Sequence, residues 1–380
     1  MDLQNIINET KIRLGDKLRA LDNVSEQRDL IRENVREVAL LGNKSMREVV
    51  DKIYAEMHGI GSLQALADMD GVTDILVNAA NEIWIDRGFG LERIGNDILT
   101  TDESVRDLAN KLITNVGLRL DDSMPIADAT THNGIRINAV LSPVAKEKCV
   151  LSFRIPRRKF LKFEELVTAG TIPENAIEFV RKLVTESKNI LISGSTGAGK
   201  TTLLAALLSL VSSKERIICI EEVRELPTDI HPHIVSLAAK KQNVEGRGEV
   251  YLSELVKTSL RMRPDRIVLG EVRGQEIKEL FMALNTGHSG SMCTIHANSV
   301  QKVPARLDTL AILANITPQS LAIQAAGALD YILQMKRIGE KRVLSEIGVP
   351  YTDDYGNFKV KLIAEYAVHD DGNGRMEFVK

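Results

Sequence analysis

Asn189-Ile190-Leu191-Ile192-Ser193-Gly194-Ser195-Thr196-Gly197-Ala198-Gly199-Lys200-Thr201-Thr202 holds both a strand and the start of a helix. The apolar run ends at Gly194. Gly194 to Thr201 then satisfies G-x-x-x-x-G-K-[ST], and Leu204, Leu207 and Leu208 follow at helical spacing. A glycine-rich turn between strand and helix wraps backbone N–H groups around an anion, and the helix N-terminus adds partial positive charge. The strand-to-helix setting is the one this chemistry requires, which separates the motif from a chance glycine-rich turn. Gly194, Ser195, Thr196, Gly197, Ala198, Gly199, Lys200, Thr201 and Thr202 are therefore the phosphate-binding candidates. Lys200 is expected on the β- and γ-phosphates of ATP, and the Thr201 hydroxyl on its Mg²⁺.

Outward from this stretch the alternation continues. Ile217-Ile218-Cys219-Ile220 and Ile267-Val268-Leu269 are apolar strand runs, and Ile277, Leu280, Phe281 and Leu284 follow the second at helical spacing. Apolar strands separated by amphipathic helices call for a sheet covered on both faces, so 175–380 is expected to be an α/β domain. The polar segment opened by Pro156-Arg157-Arg158-Lys159-Phe160 reads as a linker over 156–174. Across 59–155 the texture is different. Short β-type runs (Asp74–Asn78, Glu82–Ile85, Ile135–Leu141, Val150–Arg154) surround a helical pattern at Val105, Leu108 and Leu112, as in a compact α+β domain. Residues 1–58 contain no proline and carry apolar residues at helical spacing (Leu14, Leu18, Leu21; Val49, Ile53, Met57). They read as a charged helical region, either a docking arm or a cap on the next domain.

Composition narrows the partners. The 49 basic residues balance 52 acidic ones, a net charge of -3, so no basic excess draws nucleic acid and direct binding to it is not expected. Cys149, Cys219 and Cys293 lie far apart inside apolar runs with no C-x-x-C pair, which fits reduced thiols in the cytoplasm rather than a zinc site. The longest apolar stretch, Leu203 to Val211 broken by Ser209, falls well short of the roughly 20 residues of a transmembrane segment, and Met1-Asp2-Leu3-Gln4 opens no leader. The expectation is a cytoplasmic protein that meets the membrane through a partner.

Other candidates lie near strand ends. Arg266-Ile267-Val268-Leu269-Gly270-Glu271 ends in a carboxylate that either orients water around Mg²⁺ or pairs at the surface with Arg273. Glu221, Glu222 and Glu225 form either a solvated acidic face or a cluster in which one member activates the attacking water. His296, in Thr294-Ile295-His296-Ala297-Asn298, offers an imidazole at a sheet edge, where a lone histidine is more often structural. His231, His233 and His288 show no metal-ligand spacing to it.

Together these motifs resemble the bacterial secretion ATPase superfamily, which drives type II secretion, type IV pili, tight-adherence (Flp) pili and type IV secretion. The resemblance spans about Gly59 to Arg342. Ile220-Glu221-Glu222-Val223-Arg224-Glu225-Leu226 looks like its Asp box, with Glu222 in place of the usual Asp. Arg263-Pro264-Asp265 through Glu271-Val272-Arg273-Gly274 looks like its Walker B, and Thr286-Gly287-His288 through His296-Ala297-Asn298 like its His box. The resemblance implies Glu225 as the water-activating residue, Glu271 as the Walker B carboxylate and His296 as the His-box histidine. It also implies that Arg136, in Gly134-Ile135-Arg136-Ile137-Asn138, and Arg154, in Ser152-Phe153-Arg154-Ile155, reach nucleotide from the N-terminal domain.

Val72-Thr73-Asp74-Ile75-Leu76-Val77-Asn78 is most similar to the CpaF/TadA type of tight-adherence pilus ATPase, whereas Asp128-Ala129-Thr130-Thr131 lacks that type's Arg-Leu pair. The resemblance further implies a C-terminal RecA-like domain and a hexamer. It places the hexamer beneath an inner-membrane platform protein, where it powers assembly of a pilus-like filament with ATP and Mg²⁺. The competing expectations are a type IV secretion traffic ATPase exporting protein or DNA, a DNA-translocating RecA-like motor, and a nucleotide-dependent scaffold without turnover.

Overall fold

The computed structural model describes residues 24–38, 43–88, 90–95, 98–131, 133–146, 148–156, 160–240, 242, 247–368 and 374–379, with isolated positions between 6 and 17. Leu18, Leu21 and the expected linker positions 157–159 lie outside the described residues. Two compact units divide the chain, Met1–Pro156 and Arg157–Lys380.

In the first unit, period-2 patterning produces an antiparallel sheet. Strands β1 (Asp74–Ala79), β2 (Glu82–Asp86), β3 (Leu91–Ile94), β4 (Ile126–Thr130), β5 (Arg136–Val140) and β6 (Val150–Arg154) assemble in the order β3-β2-β1-β6-β5-β4. Alternate residues face one core: Ile75, Val77, Ile83, Ile85, Ile137 and Phe153 are buried with Val105, Leu108 and Leu112 of the helix Asp102–Asn115. Thr101 starts that helix by accepting the Ser104 N–H, a cap that contributes about 1 kcal/mol. Helices Val24–Val38 and Asn43–His58 bury a smaller core of their own through Ile31, Val35, Met46, Val50 and Ile53.

The second unit is built on a nine-stranded sheet in the order β15-β14-β13-β12-β7-β11-β10-β8-β9. Parallel pairing joins β12 (Tyr331–Ile338), β7 (Ile190–Gly194), β11 (Met292–Ile295), β10 (Arg266–Leu269), β8 (Ile217–Glu221) and β9 (Ile234–Ala238). β13 (Lys341–Thr352), β14 (Phe358–Val368) and β15 (Gly374–Phe378) extend it antiparallel. Every residue of β7, β8, β10 and β11 is buried because successive side chains enter two different cores. Leu191, Ile218, Ile220, Ile267, Leu269 and Cys293 join one core; Ile190, Ile192, Ile217, Cys219, Val268 and Met292 join the other. Uniformly apolar strands follow directly from this two-sided cover. The unit is a RecA-like α/β domain, preceded in sequence by the smaller α+β domain and the helical region.

The segment expected to be a linker holds a helix of its own. Within 156–174 the chain forms a helix, Phe163–Thr168, whose Phe163 and Leu166 are buried in the second unit's core. Burial of one such aromatic side chain contributes roughly 1.5–3 kcal/mol, enough to hold the segment on the domain. Its polar flanks hide the two residues that anchor it. No described helix is long and apolar enough to cross a membrane.

Candidate functional site

Parallel strands point the same way, so the loops after β7, β8, β10 and β11 leave one edge of the sheet together. The loop after β7 is the glycine-rich turn, and it feeds the helix Lys200–Leu208. Gly199 sits at φ 98°, where the backbone favours glycine, and a Cβ there would crowd Arg342 Cδ at 3.2 Å. Arg342, on β13, donates from Nε to Gly197 O at 2.9 Å and ties the outside of the turn to the antiparallel extension. Ser195, Thr196 and Gly197 are exposed at the tip, while Thr201 and Thr202 are half-buried on the first helical turn.

Lys200 is 8% exposed, so its ammonium must find its partners within the protein. Nζ donates to Gly194 O and Ser195 O, both at 3.0 Å, and lies 3.1 Å from His296 Nδ1. An ammonium only donates, so Nδ1 is the acceptor and the imidazole proton sits on Nε2. Nε2 in turn faces Glu271 Oε1 at 2.6 Å, an ion-pair approach without hydrogen-bond alignment. The other carboxylate oxygen accepts from Arg273 Nε at 2.8 Å and from Arg273 Nη2. Lys200, His296, Glu271 and Arg273 thus lie in one continuous row of polar contacts. Glu271 pairs with Arg273, as the plainer reading of the sequence had it, and faces the P-loop lysine through His296 at the same time.

Burial lowers the pKa of Lys200, with Arg273 adding to the effect and the Glu271 and Glu225 carboxylates opposing it. Burial and the Lys200 charge likewise hold His296 below its ordinary value of 6.5, against Glu271. As pH falls, the unfolded chain therefore takes up this proton before the folded one. The stabilisation is complete above about 6.5 and declines as pH drops towards the lowered folded value. His296→Gln keeps a polar side chain without titrating, so melts recorded from pH 8 to 5 should show a flatter acid-side decline than wild type. An unchanged profile would place the titration elsewhere.

The three glutamates after β8 separate by burial. Glu221 is 3% exposed, and its Oε1 accepts the Glu225 N–H at 2.9 Å and the Leu226 N–H at 3.0 Å. It shapes the turn that carries Glu225, a structural role that the sequence reading did not separate out. The available signal was its place as the last residue of an apolar strand. A Cβ at Gly270 would lie 2.8 Å from Glu221 Cγ, which explains glycine where many P-loop proteins carry Asp. Glu222 is exposed, and Glu225, partly buried, acts electrostatically on both Lys200 and Arg273. Thr294 Oγ1 donates to Gly270 O at 2.6 Å, joining the ends of β11 and β10 that carry His296 and Glu271.

Arg136 and Arg154 belong to the other unit. They are direct cross-strand partners on β5 and β6, with Thr130 beyond Arg136 and Asp74 beyond Arg154. Like charges in opposed positions cost stability on their own. His231, His233 and His288 make local contacts with Ser212 O, Arg216 and Ala283 O. No group of three His, Cys, Asp or Glu residues able to hold a metal occurs among the described residues.

Comparison with known proteins identifies the family. Residues 56–340 match the family described as Type II/IV secretion system protein. A Mycobacterium tuberculosis (strain H37Rv) protein whose name connects it with conjugal transfer is 43% identical over 82% of this chain and 90% of its own length. The type IV secretion system protein PtlH of Bordetella pertussis is 30% identical over 71% of this chain and 86% of its own. Among solved structures, the pilus retraction motor PilT with bound ADP shares the fold, with a TM-score of 0.52 and 20% identity over 77% of this chain and 83% of that one. This chain belongs to the Type II/IV secretion system protein family.

Proposed function

We propose that the chain is an ATP-hydrolysing motor of a secretion or pilus machine. The observation that carries this reading is the P-loop lysine joined through His296 to Glu271 at the shared strand edge. A triphosphate entering the turn meets its backbone N–H groups and draws Lys200 away from the Gly194 and Ser195 carbonyls onto the β- and γ-phosphates. Mg²⁺ in such sites keeps waters and phosphate oxygens as ligands and needs few protein groups. Thr201 would supply the protein hydroxyl, and Glu271 would hold a metal-bound water. When bound there, such an ion would supply charge neutralisation to the triphosphate. Glu225 accepts the proton of the attacking water, while His296 keeps Lys200 and Glu271 at fixed separation.

The test is turnover measured beside binding. Glu225→Gln and Glu271→Gln should each retain ATP affinity yet slow hydrolysis by roughly 10²-fold or more, the scale of losing a general base. Glu222→Gln should do less. Equal losses at 222 and 225 would show that the water-activating role is misassigned.

By resemblance, the motor works as a hexamer on the cytoplasmic face of the inner membrane beneath a platform protein. Two client machines fit it. The Val72–Asn78 segment supports tight-adherence pilus assembly. The name of the 43% identical relative supports conjugation-type export of protein or DNA at least as strongly. Co-purification with prepilin-type or conjugation-type membrane proteins distinguishes the two.

A further inference from the structure

Gly197 stands at the exposed tip of the glycine-rich turn at φ 73°, in the left-handed region that glycine enters freely. The peptide that joins it to Ala198 can therefore rotate, and its orientation matters to an anion. In a trans peptide the carbonyl and the following N–H point in opposite directions. With the Gly197 carbonyl turned outwards, the Ala198 N–H faces the inside of the turn; with it turned inwards, an oxygen would face the phosphates and repel them. The Ala198 N–H is directed at Ser195 O, the carbonyl that also receives Lys200 Nζ, but only at 3.3 Å. So long a bond holds the peptide weakly from within.

Arg342 supplies the hold from outside. Its Nε donates to Gly197 O at 2.9 Å, and its stem lies against Gly199. The frame behind this bond is a continuous sheet. β7 ends at Gly194, β12 runs parallel to it with Met335 opposite Gly194, and β13, which carries Arg342, pairs with β12. Two residues beyond Arg342, the Leu344 N–H donates to Thr171 O at 2.8 Å and fixes the strand again. Donor and acceptor thus start from strands already locked together, and little further ordering is needed to join them.

We propose that Arg342 is a positioning residue for the phosphate-binding turn, holding the Gly197 carbonyl outwards so that the Ala198 N–H stays on the phosphate side; the inference rests on the nucleotide reading given above. The guanidinium acts through the backbone and not on the ligand. Its loss should therefore be felt by the phosphates that the turn cradles, whatever else the ligand carries.

Mg²⁺-ATP, Mg²⁺-ADP and Mg²⁺-pyrophosphate are titrated calorimetrically into wild type, Arg342→Met, Arg342→Lys and Arg337→Met. Methionine keeps an unbranched stem against Gly199 but has no donor, whereas lysine keeps a cation and a donor of similar reach. Arg337 is the cross-strand partner of Arg342 and donates to Gly339 O, so its truncation removes the same charge from the same hairpin without touching the turn. Arg342→Met should weaken all three ligands by one common factor of about ten, the scale of a hydrogen bond from a charged donor. Arg342→Lys should recover most of that loss, and Arg337→Met should stay within twofold of wild type. ATP weakened while ADP holds would make Arg342 a γ-phosphate contact, and both nucleotides weakened while pyrophosphate holds would make it a contact to the rest of the nucleotide; either result overturns the positioning role. Equal losses in Arg337→Met and Arg342→Met overturn it too, by reducing the effect to net charge. Amide hydrogen exchange of the unliganded chain gives a reading that needs no ligand. The Ala198 amide should exchange faster in Arg342→Met while the amides of β7 keep their wild-type rates; faster exchange throughout β7 would show a loosened sheet and overturn the proposal. Affinities unchanged in Arg342→Met overturn the positioning role alone, whereas a wild-type chain that binds none of the three ligands overturns the nucleotide reading with it.

Discussion

Lys200→Ala should lose at least about 10²–10³-fold in ATP turnover, the scale of removing one preorganised charged donor from a transition state, together with much of the nucleotide affinity. The structure makes this a clean experiment for a physical reason. Lys200 begins a helix, where alanine is the better helix former, and its buried ammonium already carries a desolvation cost. Against that relief, the Gly194 and Ser195 carbonyls lose their donor, and an unsatisfied buried carbonyl costs roughly 1–3 kcal/mol. These effects oppose each other, so the variant should fold with a melting temperature within a few degrees of wild type. Turnover and ATP affinity both at wild-type level would remove the P-loop from the chemistry. A large fall in melting temperature would instead make Lys200 a structural residue.

How much of this was legible beforehand depends on where each signal lies. The parallel strands could be read because two-sided burial leaves only apolar residues in Ile190–Ile192, Ile217–Ile220 and Ile267–Leu269. β12 and the antiparallel extension after it, from Tyr331 to Phe378, carry no such signal. β12 carries Gln334 and Lys336, and β13 contains Gly348 and Pro350 and has a register shift at Ile347/Gly348, so neither period 2 nor a uniform apolar run is kept. The missing pattern hid Arg342, whose partner Gly197 lies 145 residues earlier. Long-range pairs of this kind leave no local pattern.

The site shows the same division. Lys200, Thr201 and the glycines follow from spacing alone. The order Lys200, His296, Glu271 and Arg273 does not, because it depends on which strand lies between which: β11 between β7 and β10 puts His296 between the other two. Glu271 had two readings in the sequence, surface pair or metal-side carboxylate, and its two oxygens meet Arg273 and His296 respectively. Glu221, indistinguishable in sequence from its neighbours, differs from Glu222 and Glu225 only by burial.

The double variant Arg136→Ala/Arg154→Ala should lose roughly 10³-fold in hydrolysis, the scale on which an arginine supplied from outside the P-loop acts in related NTPases. Each single variant should lose less if both guanidiniums serve the charge that spreads over the transferred phosphoryl group. Their placement as cross-strand partners is what permits that sharing. It also predicts the effect on folding. Arg154 has Arg136 on one side and Asp74 on the other, so truncating it removes a repulsion together with an attraction. Stability should then move by no more than about 0.5 kcal/mol, as for other surface changes. A substantial drop in melting temperature would identify a strand-end ion pair instead.

Action between subunits is read by mixing. A Lys200→Ala chain cannot bind nucleotide productively but keeps its arginines; the double-arginine chain keeps its P-loop but lacks them. If the arginines serve a neighbour's nucleotide, co-assembled mixtures regain activity that neither parent shows, rising to a maximum near equal proportions. If they serve their own chain's nucleotide, every mixture stays at the parents' level. Full hydrolysis by the double-arginine chain alone would exclude both cases, since the transferred phosphoryl group would then be stabilised without either residue.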